Sequence, residues 1–363
     1  MSSIALDRHK KPLDVPYYQR RTNGAVFGRN CELLTELDQP DKYYYDQEAA
    51  LWACEFYETV GVITEDGHMF KMGDPLELLD WQLQTTCNLF GVKRKEDNLR
   101  RYWTVVHLMP KKTGKSPYSS FTGLFLLCAD NQGKGEIFTI ACDKAQAGII
   151  HKNSKKIAEK SEMLGSALII RGEYIEHVRS GSKFWVTSAV ESSKHGPNLS
   201  GIFFDEPHAY KDWSLVETLE QGIAARPEPV IMFSSTAGVK GSPFHKKMYK
   251  NAKALLNKLS SNDTELVFLY EPDVPAMIEK YGEVWVDGKK PWWAQEEVWA
   301  EVNPSYGLTV TKRYFENEVK KVRNGTRSLN KFLQMHLNVF TGNTDGWQIA
   351  EVWNQLKTIK EAA

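Results

Sequence analysis

Along the first part of the chain, apolar residues recur at helical spacing. "DQEAALWACEFYETV" (46–60) predicts a helix, and residues 1–72 as a whole read as α-rich. "GDPLELLDWQLQTTCNLFG" (73–91) predicts a second amphipathic helix, led in by Asp74-Pro75. After the charged "KRKEDNLRR" the pattern changes: "YWTVVHLM" (102–109) is a continuous apolar run with β-branched residues, a buried strand. From there strands and helices alternate. Strands are expected at "GEIFTIAC", "ALIIRGEYIEHV", "KFWVTSA", "GIFFDE", "PVIMFSST" and "ELVFLYE", and helices at 116–130, 143–164, 212–226 and 242–259. Unbroken apolar strands alternating with helices imply a parallel sheet covered on both faces, an α/β fold. Beyond Glu271 the pattern loosens into a Trp-rich stretch and two helical stretches, a smaller subdomain.

Composition narrows this picture. Apolar residues make up 42% of the 363, enough for a full core, and 46 basic residues balance 46 acidic ones. That balance argues against wholesale coating of nucleic acid and leaves local basic patches open. The five cysteines (Cys31, Cys54, Cys87, Cys128, Cys142) are scattered, with no zinc-type spacing, and read as reduced thiols. No apolar run approaches the roughly 20 residues that span a bilayer. The N-terminus lacks an apolar signal core, so a soluble cytosolic protein without membrane contact is expected.

Chemistry enters at "MPKKTGKS" (109–116). The phosphate-loop pattern G-x-x-x-x-G-K-[ST] is intact at Gly114, Lys115 and Ser116, but Met109 occupies the first glycine position. The loop follows an apolar strand and opens a helix, where backbone N–H groups can cradle phosphate oxygens. Lys115 would neutralise the β/γ-phosphates and the Ser116 hydroxyl would ligate Mg²⁺. Met109 suffices if its φ is negative and its side chain points away from the phosphates. Lys111 and Lys112 add charge beside Thr113. The bland alternative is a lysine-rich surface turn.

Such a loop needs an acid on the neighbouring strand. "GIFFDE" ends in Asp205, placed to hold the water shell of Mg²⁺, and Glu206, placed to polarise an attacking water as general base. A solvent-exposed Asp-Glu pair is the alternative. "PVIMFSSTAG" supplies a third strand with the polar tip Ser234, Ser235 and Thr236. Upstream, Gln82 could read an adenine edge, although alone it would pass for a surface-helix glutamine.

With these motifs in place, the chain resembles the large terminase subunit of tailed bacteriophages. The resemblance runs in order through "DPLELLDWQ", "MPKKTGKS", "ACDKAQAG", "HGPNLSGIFFDEPHAY", "ARPEPVIMFSSTAG", "EVNPSYG" and "FLQMHLNVF". It implies a P-loop NTPase of the additional-strand, conserved-glutamate type, with a mainly parallel sheet flanked by helices and a small C-terminal lid subdomain. ATP and Mg²⁺ would be its cofactors. Its work would be driving double-stranded DNA, whatever its sequence, into a procapsid. Portal protein and the small terminase subunit would be partners, the working form a homo-oligomeric ring, and the setting the host cytoplasm. Lys115 and Ser116 become the Walker A residues, with Thr113 and Gly114 in the same loop. Asp205 and Glu206 become Walker B and the catalytic glutamate, Thr236 with Ser234 and Ser235 the coupling motif, and Gln82 the adenine-side residue.

The resemblance also divides the chain into an N-terminal segment (1–72), the ATPase core (73–271), the lid (272–340) and the start of a nuclease domain (341–363). No DNA cleavage is expected from what is present. Two departures stand out. Lys111 and Lys112 occupy the place where relatives often carry an arginine, and lysine lacks the bidentate fork. The trans-acting arginine finger could be Arg171, Arg179 or Arg226, with Lys194 as the sole basic residue of "ESSKHG".

Two rivals belong to other classes. "DEPH" resembles a helicase signature, but the residues after "SSTAG" are few for a second α/β motor domain. A non-hydrolysing nucleotide or DNA scaffold would not need both Lys115 and Glu206. Basic clusters at 93–101, 152–156, 245–250 and 320–327 are candidate DNA contacts or solvated helix faces.

Overall fold

In the computed structural model, residues 21–141, 144–186 and 198–342 are described, side chains of 144–147 excepted. Ten strands are present among them: β1 (Tyr43–Tyr45), β2 (Val92–Arg94), β3 (Thr104–Leu108), β4 (Glu136–Ile140), β5 (Leu168–Ile170), β6 (Tyr174–His177), β7 (Lys183–Val186), β8 (Leu199–Asp205), β9 (Val230–Ser235) and β10 (Glu265–Leu269). The helices that matter for the site are α1 (Gln47–Val60), α2 (Asp80–Thr86), α3 (Lys115–Cys128) and α4 (Lys144–Lys160).

Eight strands form one sheet in the order β10-β3-β9-β8-β4-β7-β6-β5. The pairs from β10 to β7 are parallel, and β7-β6-β5 is an antiparallel meander at one edge. The mainly parallel α/β sheet is therefore as expected. Alternate residues of each strand face opposite sides. Val105, Phe203, Met232 and Phe268 join one buried core with α1, α2 and α3. Val106, Phe204, Phe233 and Val267 join a second core with Trp213 and Phe244. This two-sided burial is why the strands read as unbroken apolar runs. A third core gathers Trp292, Trp293, Trp299, Phe315 and Phe332, with Trp299 and Phe315 stacked 5.0 Å apart.

Several expectations need correcting. Between 21 and 72 there is one helix, α1, rather than an α-rich segment. Residues 21–23 instead run along the outer edge of β10, where Thr22 bridges Phe268 and Leu269 N–H donates to Arg21 O. The helix predicted from residue 73 starts only at Asp80. Residues 61–63 and 73–76 pair with each other first, through Ile63 N–H to Asp74 O and Leu76 N–H to Gly61 O. Those backbone groups are then unavailable to a helix. "ALIIRGEYIEHV" is two strands joined by a tight turn, not one. The strand bearing Asp205 is not a neighbour of the loop strand, because β9 lies between β3 and β8. That intervening strand is the additional strand the family resemblance implied.

Candidate active site

The parallel strands bring their C-terminal tips to one level. Leu108 pairs with Ser235, and Asp205 pairs with Ser234, so three strand ends open side by side. The chain leaves β3 at Met109, whose N–H donates to Ser235 O at 3.1 Å. Met109 is fully buried in the core and is not among the residues with positive φ, so it meets the condition for replacing glycine. The left-handed positions of the loop fall at Lys112 (φ 69°) and Gly114 (φ 94°). Glycine suits the second; the exposed Lys112 carries backbone strain of about 1–3 kcal/mol.

Lys115 opens α3 and is buried. Its Nζ donates to Met109 O (2.9 Å) and Pro110 O (2.8 Å), so the ammonium is folded back onto its own loop. Burial lowers its pKa to about 8; Glu206 and Asp205 oppose that shift and Lys111 adds to it. No side chain caps the first turn of α3, which leaves a helix N-terminus open toward the loop. Thr113 is buried with its hydroxyl donating to Pro110 O (3.1 Å), while Lys111 and Ser116 are half-buried.

Asp205 is buried at the end of β8. Desolvation and the adjacent Glu206 charge push its pKa up to about 7, against the pull of Lys115 and Lys111. Glu206 sits in a left-handed conformation (φ 47°), which swings its side chain off the strand line toward β9. Its Oε2 accepts from Thr236 N–H (3.1 Å) and Thr236 Oγ1 (3.3 Å), and lies 2.9 Å from His208 Nδ1. Burial raises the carboxyl, but the His208 hydrogen bond and the Lys115 charge outweigh it and hold the pKa at about 2. Lys115, Asp205, Glu206 and Thr236 thus converge on one end of three strands.

Gln82 lies on the same side, on α2. Its Oε1 accepts from Leu79 N–H (2.9 Å), and its amide nitrogen lies 3.5 Å from where a Cβ on Gly114 would sit. It is buried, not the surface glutamine its isolated position suggested. Below it, His107 of β3 packs edge-on against Trp81 and Tyr118 and bonds Thr85 Oγ1 (3.0 Å). Burial and the Lys115 charge lower its pKa to about 3, and its Nδ1 has no partner.

Four contacts went unread in the sequence. His208 ties Glu206 to β9, its Nδ1 also 3.0 Å from Ser235 Oγ. Ser305 Oγ donates to Thr113 O (2.7 Å) and accepts from Trp81 Nε1 (3.3 Å). Asn338 Oδ1 accepts from Ala237 N–H (2.7 Å), next to Thr236. Met335 O accepts from Lys111 N–H (2.8 Å). Ser305 belongs to "EVNPSYG", and Met335 and Asn338 to "FLQMHLNVF", so the signal was present in those motifs without a role attached.

The finger candidates separate by position. Arg171 is exposed in the β5–β6 turn, and the register of β5, β6 and β7 puts that turn at the same end of the sheet as Leu108. Arg179 lies in the β6–β7 turn at the opposite end. Arg226 donates to Asn198 O, Gly133 O and Lys134 O. Lys194 lies outside the described residues. Of the basic clusters, 93–101 is largely structural rather than a solvated helix face: Arg100 and Arg101 are buried, and Arg101 stacks 4.0 Å over Tyr43.

Against known proteins, residues 80–254 match the family described as terminase large subunit, ATPase domain. Over that segment, just under half of the chain, the resemblance to the terminase large-subunit ATPase domain is borne out. Protein YmfN of Escherichia coli strain K12 is 24% identical over 175 residues, covering 46% of this chain and 35% of that protein. The large terminase of bacteriophage HK97 shares the fold at TM-score 0.64 and 15% identity, covering 80% of this chain and 55% of the other. A large terminase from a thermophilic bacteriophage, in complex with ADP, gives 11% identity and TM-score 0.42, over 66% and 48% of the two chains. The chain thus spans about a third of YmfN and just over half of the HK97 protein. Among the described residues no helix is long and apolar enough to cross a membrane.

Proposed function

We propose that this chain is the ATP-hydrolysing motor portion of a DNA-packaging terminase, with Lys115, Ser116, Asp205, Glu206 and Thr236 at its centre. The observation that carries the reading is the convergence of Lys115, Asp205 and Glu206 at the tips of β3 and β8, on either side of β9, inside the matched ATPase domain. The residues fit Mg²⁺ and ATP. An uncapped helix start and two left-handed loop positions favour bound phosphate, and Lys115 has only backbone carbonyls to give up.

In this reading Lys115 and the loop N–H groups hold the phosphates, with Lys111 and Lys112 at the rim and Thr113 and Gly114 shaping the turn. Gln82 faces the adenine side. Ser116 and Asp205 hold Mg²⁺, which when bound neutralises developing phosphate charge. Its charge would also favour the ionised form of Asp205, whose pKa of about 7 lies close to neutrality. Glu206 acts as general base once released from Thr236 and His208. Its present hydrogen bonds describe a base held away from work, and Thr236 is the group through which the β9 tip senses that release. Double-stranded DNA, portal protein and the small subunit are the expected partners, with the neighbour's Arg171 the best-placed finger in a ring.

Phosphate release should rise on adding DNA and rise further with empty portal-bearing capsids. Stimulation by DNA alone, with strand separation, would favour the helicase reading. Arg171→Ala should lower turnover in the assembled motor, and Arg179→Ala should not. Equal loss in both would remove Arg171 from the role.

A further inference from the structure

Three cysteines that the sequence scatters meet in the core beside α2. Cys31, Cys54 and Cys87 place their sulfurs within 4.8 Å of one another, all three residues buried. Cys31 and Cys54 are 3.6 Å apart, sulfur to sulfur, and none of the three is in a disulfide. They come from three separate pieces of chain. Cys31 sits in a tight loop closed by Gly28 N–H to Glu32 O and Leu34 N–H to Val26 O. Cys54 lies on the inner face of α1, and Cys87 opens the wide turn 87–91 that follows α2.

We propose that these thiols form a structural site for a soft, thiophilic metal ion of the zinc class. Tetrahedral zinc at about 2.3 Å from each sulfur sets ligand sulfurs about 3.8 Å apart, so the existing spacing needs at most about 1 Å of closure. Three sulfurs and no carboxylate select zinc-like ions over magnesium or calcium. Cys31 has φ 54°, a left-handed conformation costly for a residue with a side chain, and that strained turn carries the thiol inward. Tyr45 supports the arrangement, since its hydroxyl donates to Cys31 O beside the cluster, and a tetrahedral ion would take a water as its fourth ligand. The packing is close: a Cβ on Gly91 would fall 2.5 Å from the Tyr45 ring and 2.9 Å from Ala50. A bound ion would stitch the 26–34 loop and α1 to the turn that ends α2, bracing the helix that bears Gln82. The inference stands independently of the nucleotide reading.

The test uses the full 363-residue chain, prepared reduced and dialysed after zinc supplementation. Elemental analysis should find one zinc per chain in the parent and in Cys128→Ser. Cys54→Ser and Cys87→Ser should lose more affinity than the roughly 10–100-fold typical of changes outside the ligand set. In case those variants misfold, Co²⁺ titration of the parent should give an intense thiolate–cobalt charge-transfer band saturating at one equivalent. Zinc well below one equivalent in the parent, or a cobalt spectrum without that band, would mean the sulfurs serve only as packing and would overturn the proposal.

Discussion

Two clusters, each bringing one buried cation near two acids, sit at opposite ends of β3. At the N-terminal end, Arg100 is clasped by Asp130 through Nη1 (2.5 Å) and Nη2 (3.1 Å), and its backbone N–H donates to Glu228 Oε1 (2.8 Å). At the C-terminal end, Lys115 touches neither Asp205 nor Glu206 and spends its ammonium on two loop carbonyls. Asp205 is left buried with its pKa near 7, and Glu206 is bonded to Thr236 and His208 instead. The first cluster is closed: each charge has its counter-charge within the fold. The second is assembled but not mutually paired, as expected of charges arranged for something the fold does not itself contain. Buried charge alone marks neither structure nor function; where its hydrogen bonds go distinguishes them.

Swapping the tests between the two ends gives the largest contrast. Lys115→Ala should cost roughly 10²–10³-fold or more in phosphate release, with thermal stability unchanged or raised because a desolvated ammonium is removed. Arg100→Ala should do the reverse: about 3–5 kcal/mol lost in denaturant unfolding, with turnover per folded molecule near the parent's. If Arg100→Ala abolished turnover in folded protein, or Lys115→Ala unfolded the chain, the distinction would collapse.

His107 sharpens the comparison through pH. Its folded pKa is depressed to about 3, below the unfolded value near 6.5, so the unfolded chain binds the extra proton between those limits. Stability should therefore fall as pH drops from about 6.5 to 3, at about 1.4 kcal/mol per unit from this group. His107→Gln should flatten that slope in urea unfolding across the window. A slope identical to the parent's would show that His107 is not held neutral.

The smallest effect belongs to the support behind the loop. Ser305→Ala removes two buried hydrogen bonds, one to Thr113 O and one from Trp81 Nε1; the bond to the loop is worth about 1 kcal/mol, so ATP affinity measured by calorimetry should weaken about five-fold with the maximal rate kept. A rate lost at saturating ATP would move Ser305 from supporting the loop to taking part in the chemistry.

What could be read in the sequence follows from range. Strands buried on both faces give unbroken apolar runs, so "VVHL", "IFFD" and "VIMFSS" announced themselves, and each site motif stood at a strand end. Strand order left no such trace: nothing local in "PVIMFSST" says that it inserts between β3 and β8. The helix start slipped to Asp80 because a pairing between 61–63 and 73–76 took the backbone of a stretch whose period looked helical. Ser305, Asn338 and the three cysteines act across long separations, where neither period nor spacing carries information.

The central claim, that the open cluster is an ATPase centre with Glu206 as its base, is tested most directly by Glu206→Gln. Equilibrium ATP binding and steady-state phosphate release should be measured on the same preparations with Mg²⁺. The account predicts parent-like binding with phosphate release down by roughly 10²–10⁴-fold. Turnover at the parent rate in Glu206→Gln would contradict it.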